Sequence, residues 1–257
     1  MNAAPLLVAN GIEKKYGHVT ALSGVDLTIQ AGEVCALIGD NGAGKSTLVK
    51  ILAGVESPDS GVIELQGRRV SISSPTVAQD LGISTVFQDL ALAPDLSPVD
   101  NFYLGRELMH GVGIARALRF TDKKRMLQEA TKEFADLGIT LRSATVPVGS
   151  LSGGQRQSVA IARSAKWANK IIILDEPTAA LGVVQTDRVF KLVRRVADRG
   201  LGVLLVTHNM SHVVEYADNV QVLRLGRRVA RFAKGESSVE KLVAAMTSDE
   251  QERTVKE

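Results

Sequence analysis

Apolar and polar positions alternate in three different textures along the chain. Up to about residue 72, short β-rich runs are separated by turn signals: "LLVA", "VDLTI", "EVCALIG", "GVIEL" and "RRVSI". After Gly44 the spacing becomes helical in "KSTLVKILAG", with Gly54 placed as a glycine just beyond the helix end. A strand therefore runs into a glycine loop and then a helix. The strand-like "ISTVF" follows, and Gln88 stands directly after it.

From residue 89 to 168 the β-rich texture stops, and "DKKRMLQEATKEFADLG" and "SGGQRQSVAIARSAKWA" both read as amphipathic helices. From Lys170 the alternation returns. "IIILD", "VLLVTH", "VQVLRLG" and "RRVARF" read as strands, with helices at "VVQTDRVFKLVRRVADRG" and "SHVVEYAD". Near-continuous Ile, Val and Leu strands separated by helices predict a mainly parallel sheet covered on both faces. The expected fold is α/β, one domain divided into a sheet core (1–88 and 169–235) with an antiparallel β portion, a helical insertion (89–168) and a tail (236–257). The charged end "SDEQERTVKE" is expected to fray.

Composition changes this picture little. The 257 residues are enough to bury one large core. Apolar residues make up 45% and charged residues 23%, and the net charge is +3, so neither disorder nor a polyanion-binding surface is expected. Cys35 is the sole cysteine, which excludes an internal disulfide and, within an apolar run, reads as a core residue in a reducing compartment. The N-terminal stretch lacks the basic start and apolar core of a secretory signal. No window holds the roughly eighteen uninterrupted apolar residues of a membrane helix.

The chemistry begins at "GDNGAGKST". Gly39, Asn41, Gly42, Ala43, Gly44, Lys45, Ser46 and Thr47 fit the phosphate-binding pattern G-x-x-x-x-G-K-[ST] between a strand and a helix. The glycines allow the loop to wrap a phosphate with its N–H groups, Lys45 offers a positive charge to the β- and γ-phosphates, and Ser46 offers a hydroxyl to Mg²⁺. ATP and Mg²⁺ are the expected ligands.

"IIILDEPT" is a buried strand ending in two acids. Asp175 and Glu176 must lie at its solvated end, where ligands of open α/β sheets bind. Asp175 is the candidate for Mg²⁺, and Glu176 for the base acting on an attacking water. Gln88 and His208 each follow an apolar strand; either one alone reads as an ordinary polar group. Strands ending in Lys, Gln, Asp-Glu and His converge on one sheet edge, where Gln88 can orient water or Mg²⁺ and His208 can donate to the γ-phosphate. Tyr16 either stacks on the adenine or simply packs.

"LSGGQRQ" is a second glycine-rich helix start. Ser152 and Gln155 have the spacing of a capping box, with Gly153 and Gly154 between them. Bare N–H groups at a positive helix end favour an anion, but without a lysine they are poor at capturing a nucleotide alone. They suit a lid. Ser152, Gly153 and Gly154 are therefore expected to cover the nucleotide held by a second copy of the chain, with two copies head to tail.

Together these residues resemble the nucleotide-binding subunit of ATP-binding cassette transporters over nearly the whole chain. In that family's terms, Gly39 to Thr47 match Walker A, Gln88 the Q-loop and Leu151 to Gln155 the signature. Ile171 to Glu176 match Walker B, His208 the switch histidine and Tyr16 the A-loop. The stretch "FQDLALAPDLSPVDNFYLGRE" resembles carbohydrate importers of the ribose, xylose and fructose group, and "DEPTAALGV" resembles their single-cassette members. The resemblance implies ATP hydrolysis coupled to sugar uptake through a separate membrane permease, served by a periplasmic or extracellular sugar-binding protein. It also implies a place on the cytoplasmic face of the cell membrane, no nucleic-acid partner, and a permease helix seated in the groove after Gln88. Gly182 departs from the pattern, which has aspartate at that point of the D-loop, and an added regulatory β domain is not expected after "VQVLRLG". A soluble cassette ATPase of DNA repair or translation is the alternative, and a P-loop kinase would leave LSGGQ and His208 idle.

Overall fold

The computed structural model describes residues 4–109, 120–141 and 143–247. The expectation that "SDEQERTVKE" frays falls on residues outside these. Two sheets form the frame. β1 (Leu7–Tyr16), β2 (Val19–Ile29), β4 (Ser60–Leu65) and β5 (Arg68–Val70) make an antiparallel sheet in the order β2-β1-β4-β5. The second sheet has the order β10-β9-β3-β8-β7-β6 and contains β3 (Val34–Ile38), β6 (Ile83–Val86), β7 (Ile171–Asp175), β8 (Gly202–Val206), β9 (Asn219–Arg224) and β10 (Arg227–Ala233). All its pairings are parallel except that of β10, which folds back on β9 as an antiparallel edge strand.

The central strands carry the unbroken apolar runs because both of their faces are covered. Along β7, Ile171 and Ile173 face a core shared with the antiparallel sheet and α1 (Lys45–Leu52), whereas Ile172 and Leu174 face a second core. β8 alternates in the same way, with Leu204 and Val206 on one side and Val203 and Leu205 on the other. This period of two follows from the pleat.

The second core is closed by α3 (Pro98–Tyr103), α4 (Lys123–Asp136), α5 (Gly153–Trp167) and α6 (Val183–Asp198). Phe102 packs edge-on against both Tyr103 and Phe134 there, with ring centroids 5.3 Å apart in each case. A smaller third core lies under α7 (Met210–Tyr216) and α8 (Val239–Thr247), against Ala36, Ile38, Val220 and Val222.

The expected helices at "KSTLVKILAG", "DKKRMLQEATKEFADLG", "SGGQRQSVAIARSAKWA", "VVQTDRVFKLVRRVADRG" and "SHVVEYAD" correspond to α1, α4, α5, α6 and α7. Gly54 follows α1 in a left-handed conformation (φ 72°), and a Cβ there would meet Ser74 O at 2.3 Å, so glycine is required by both geometry and space. Three helices were not expected: α2 (Pro75–Asp80), α3 and α8. α2 and α3 each start with a Ser N-cap followed by Pro, a start signal attached to too few residues to show a helical period. Within 89–168 the described residues include one isolated bridge, Met109 to Thr121.

Candidate functional site

The strand order sets the site. β3, β8, β7 and β6 are consecutive parallel neighbours, so their C-terminal ends lie side by side along one edge. The phosphate-binding loop follows β3, His208 follows β8, Asp175 ends β7 with Glu176 directly after it, and Gln88 follows β6. This is the edge at which open α/β sheets bind ligands.

The loop is built around glycines that cannot be replaced without strain. Gly42 and Gly44 have φ of 80° and 102°. A Cβ on Gly44 would stand 2.7 Å from both Ala21 O and Leu22 Cδ2, and one on Gly39 would stand 2.2 Å from Leu223 O. The loop is braced from behind, Gly226 N donating to Ala43 O at 3.0 Å. Among the described residues no side chain caps α1, and its first turn contains no acid. The positive helix end and its N–H groups are therefore left for an anion, which is the arrangement a nucleoside triphosphate needs.

Lys45 Nζ donates to Gly39 O at 2.6 Å and to Asp40 O at 3.0 Å, so the ammonium lies folded over the loop. Burial pushes its pKa below the usual lysine range, while Glu176, Asp40 and Asp175 pull the other way. Burial likewise pushes Asp175 up, with Glu176 adding to the effect and Lys45 opposing it. Ser46 is exposed at the start of α1. Among the described residues no cluster of three or more His, Cys, Asp or Glu could hold a metal by itself.

Glu176 is held in the left-handed region, φ 49°, uncommon for a residue with a side chain. Its N–H donates to Val206 O at 2.9 Å, anchoring the turn to β8. Its Oε2 lies 2.9 Å from His208 Nδ1 without the alignment of a hydrogen bond, and that buried oxygen has no other partner among the described residues. Strain of this kind costs about 1–3 kcal/mol and persists only where the surrounding structure imposes it. Neither the strain nor the contact with His208 was visible in the sequence. Gln88 is exposed two residues beyond β6, and Tyr16 ends β1 with 43% of its surface exposed and its hydroxyl on Glu56.

The second glycine-rich start differs. Ser152 caps α5 with both halves of the box formed: Gln155 N donates to Ser152 Oγ at 3.3 Å, and Ser152 N to Gln155 Oε1 at 3.1 Å. Gln155 Nε2 donates to Thr140 O at 3.3 Å, so this side chain is engaged within its own chain. Gly154 also has a packing reason to be glycine, since a Cβ would lie 3.0 Å from Gln185 Cγ. Gly182 caps α6 without a side-chain bond, and a Cβ there would stand 2.9 Å from Gln185 Oε1. A cleft of about 490 Å³ is lined by Ser152, Gly154, Gln155, Gln185 and Arg188, and by no residue of the phosphate-binding loop.

Known proteins resemble this chain over most of its length. The ABC transporter family matches residues 22–179. The fructose import ATP-binding protein FrcA of Rhizobium meliloti is 44% identical over 248 residues, covering 96% of this chain and 95% of its own. The xylose/arabinose import ATP-binding protein XylG of Sulfolobus acidocaldarius is 44% identical over 243 residues, covering 95% and 94%. The ribose import ATP-binding protein RbsA of Yersinia pestis is 39% identical over 96% of this chain, which spans 47% of that protein's length. Among solved structures, MJ1267, an ATP-binding cassette of an ABC transporter, superposes with a TM-score of 0.81 at 25% identity, covering 96% of this chain and 100% of that one. MJ0796, solved as a dimer bound to ADP and Pi, shares the fold with a TM-score of 0.71 at 24% identity, covering 88% and 98%. The phosphate-binding loop, the acid-ended strand and the capped glycine helix thus stand in a chain that belongs to the ABC transporter family and is its nucleotide-binding ATPase subunit.

Proposed function

We propose that this chain powers the uptake of a small sugar, a pentose or hexose, by hydrolysing ATP beneath a separate membrane permease. Support for the sugar comes from the fructose and xylose/arabinose relatives, whose identity extends over nearly the full length of both partners. No helix among the described residues is long and apolar enough to cross a membrane, so the membrane-spanning part of the task falls to a partner. The subunit then sits on the cytoplasmic face of the cell membrane, and a periplasmic or extracellular binding protein delivers the sugar to the permease. No observation favours the soluble DNA-repair or translation alternative.

The single observation that carries the mechanism is the convergence of four parallel strand ends on one edge. Gly39, Asn41, Gly42, Ala43, Gly44 and Thr47 wrap the phosphates through backbone N–H groups, and Lys45 moves from its loop carbonyls to the β- and γ-oxygens. Mg²⁺, when bound, neutralises developing phosphate charge; Ser46, Asp175 and Gln88 are the residues that hold it. Glu176 Oε2 accepts a proton from the attacking water. His208, beside Glu176, donates to the γ-phosphate as its charge grows. Tyr16 meets the adenine.

Residues 1–88 and 169–235 act as the nucleotide-binding core, and 89–168 as the helical part that bears the lid. Ser152, Gly153 and Gly154 of one copy close over the nucleotide of the other, with Gln155 holding the cap. ATP-driven closure of the pair becomes a movement of the permease helix seated beside Gln88. Replacing Glu176 by Gln is expected to lower ATP turnover by about 10²–10⁴, the scale of a lost general base, while ATP binding persists. Purification of this subunit from native membranes is expected to bring a polytopic permease with it; recovery of only soluble partners overturns the transport reading.

A further inference from the structure

Tyr16 lies on an exposed strand end, where an aromatic side chain ordinarily samples several rotamers. Here it is held at two points, its hydroxyl and one face of the ring. Its hydroxyl donates to Glu56 Oε2, and Glu56 Oε1 stands 3.4 Å from Nζ of Lys50 in the last turn of α1. Lys14 Nζ lies 5.7 Å from the ring centroid and is itself fixed by Ser57 O at 2.7 Å and Asp59 Oδ1 at 3.2 Å. None of Lys14, Glu56, Asp59 and Lys50 belongs to a hydrophobic core. The network orders one ring, and does so from the helix whose other end forms the phosphate-binding loop.

We propose that Glu56 is a positioning residue for nucleotide binding: it accepts the Tyr16 hydroxyl and ties it, through Lys50, to α1. The helix that presents N–H groups to the phosphates thereby also fixes the plane of the ring that meets the base, at a set distance from those phosphates. This rests on the reading of Tyr16 as the base-stacking residue. The gain is preorganisation, because the ring's rotamer freedom is lost before the nucleotide arrives. The hydrogen bond also holds the Glu56 carboxyl below its usual range, Lys50 acting in the same direction.

The test measures the affinity of the full chain for ATP and for inorganic tripolyphosphate, which lacks a base, together with kcat and KM. Glu56→Ala and Tyr16→Phe are each expected to weaken ATP binding about threefold to tenfold, the scale of one hydrogen bond. The double substitution is expected to be no worse than either single one, Glu56→Gln to recover part of the loss, and, for Glu56→Ala, tripolyphosphate affinity and kcat at saturating ATP to stay at wild-type values. If Glu56→Ala weakens tripolyphosphate as much as ATP, the residue supports the helix alone and the proposal is overturned. If Tyr16→Ala weakens ATP binding while Glu56→Ala and Tyr16→Phe do not, stacking stands and the tether is refuted. If Tyr16→Ala has no effect on ATP, the reading of Tyr16 fails and the proposal falls with it.

Discussion

The chain contains two glycine-rich helix starts, and they are finished in opposite ways. α1 begins at Gly44 with no side-chain cap among the described residues and with Lys45 folded over the loop. α5 begins at Ser152 with a complete capping box and no lysine in its first turn, where the Arg156 guanidinium is engaged on Leu151 O at 2.8 Å. A bare end with a built-in lysine can capture a triphosphate unaided; a capped end without one keeps its shape in the absence of ligand and adds N–H groups only when an anion is brought to it. The difference teaches that glycine next to a helix start does not by itself distinguish capture from coverage. What distinguishes them is where the cap and the cation are.

Substitutions can break or sharpen this contrast. The largest expected effect is that of Lys45→Ala, which removes the cation from the capturing start; the ATP hydrolysis rate should fall by about 10²–10³, the scale of one lost electrostatic stabiliser. Next is Gly44→Ala, which forces a Cβ into Ala21 O and Leu22 Cδ2 at φ 102° and should cost about 1–3 kcal/mol in denaturant unfolding. The smallest is Ser152→Ala: loss of the cap should cost about 1 kcal/mol, read as a lower denaturation midpoint, with monomeric ATP affinity unchanged because the lid does not capture. An equal loss of monomeric ATP affinity in Ser152→Ala and Lys45→Ala would erase the contrast.

Much of this was legible in the sequence because each signal was local. The apolar runs of β3, β7 and β8 carry no internal polar residue to confuse strand with loop, and the capping box depends only on Ser152 and Gln155. The convergence of Gln88, Asp175, Glu176 and His208 followed from parallel strands sharing a C-terminal edge. What was not legible depends on partners far apart in sequence. The contact of Glu176 with His208, the hydrogen bond from Tyr16 to Glu56, and the seating of Gly154 against Gln185 arise only once the elements pack. Gly182 differs in being local: read from the sequence it is a missing aspartate, whereas in the fold it is a helix start whose side-chain space Gln185, three residues on, already occupies. The antiparallel return of β10 and the helix α8 likewise gain stability from packing on β9 rather than from a distinct local pattern.

The central claim is that the lid of one copy closes over the phosphate-binding loop of another. Cys35 is fully buried and its thiol is pushed up by desolvation, so cysteines introduced at the surface are the reactive ones. Two chains, one carrying Asn41→Cys and the other Ser152→Cys, are mixed under oxidising conditions with ATP and EDTA, so that nucleotide binds without hydrolysis. The account predicts a cross-linked dimer in the mixture that depends on ATP, and far less of it when either chain is alone. Equal cross-linking of each chain alone, or a mixture in which ATP makes no difference, would contradict it.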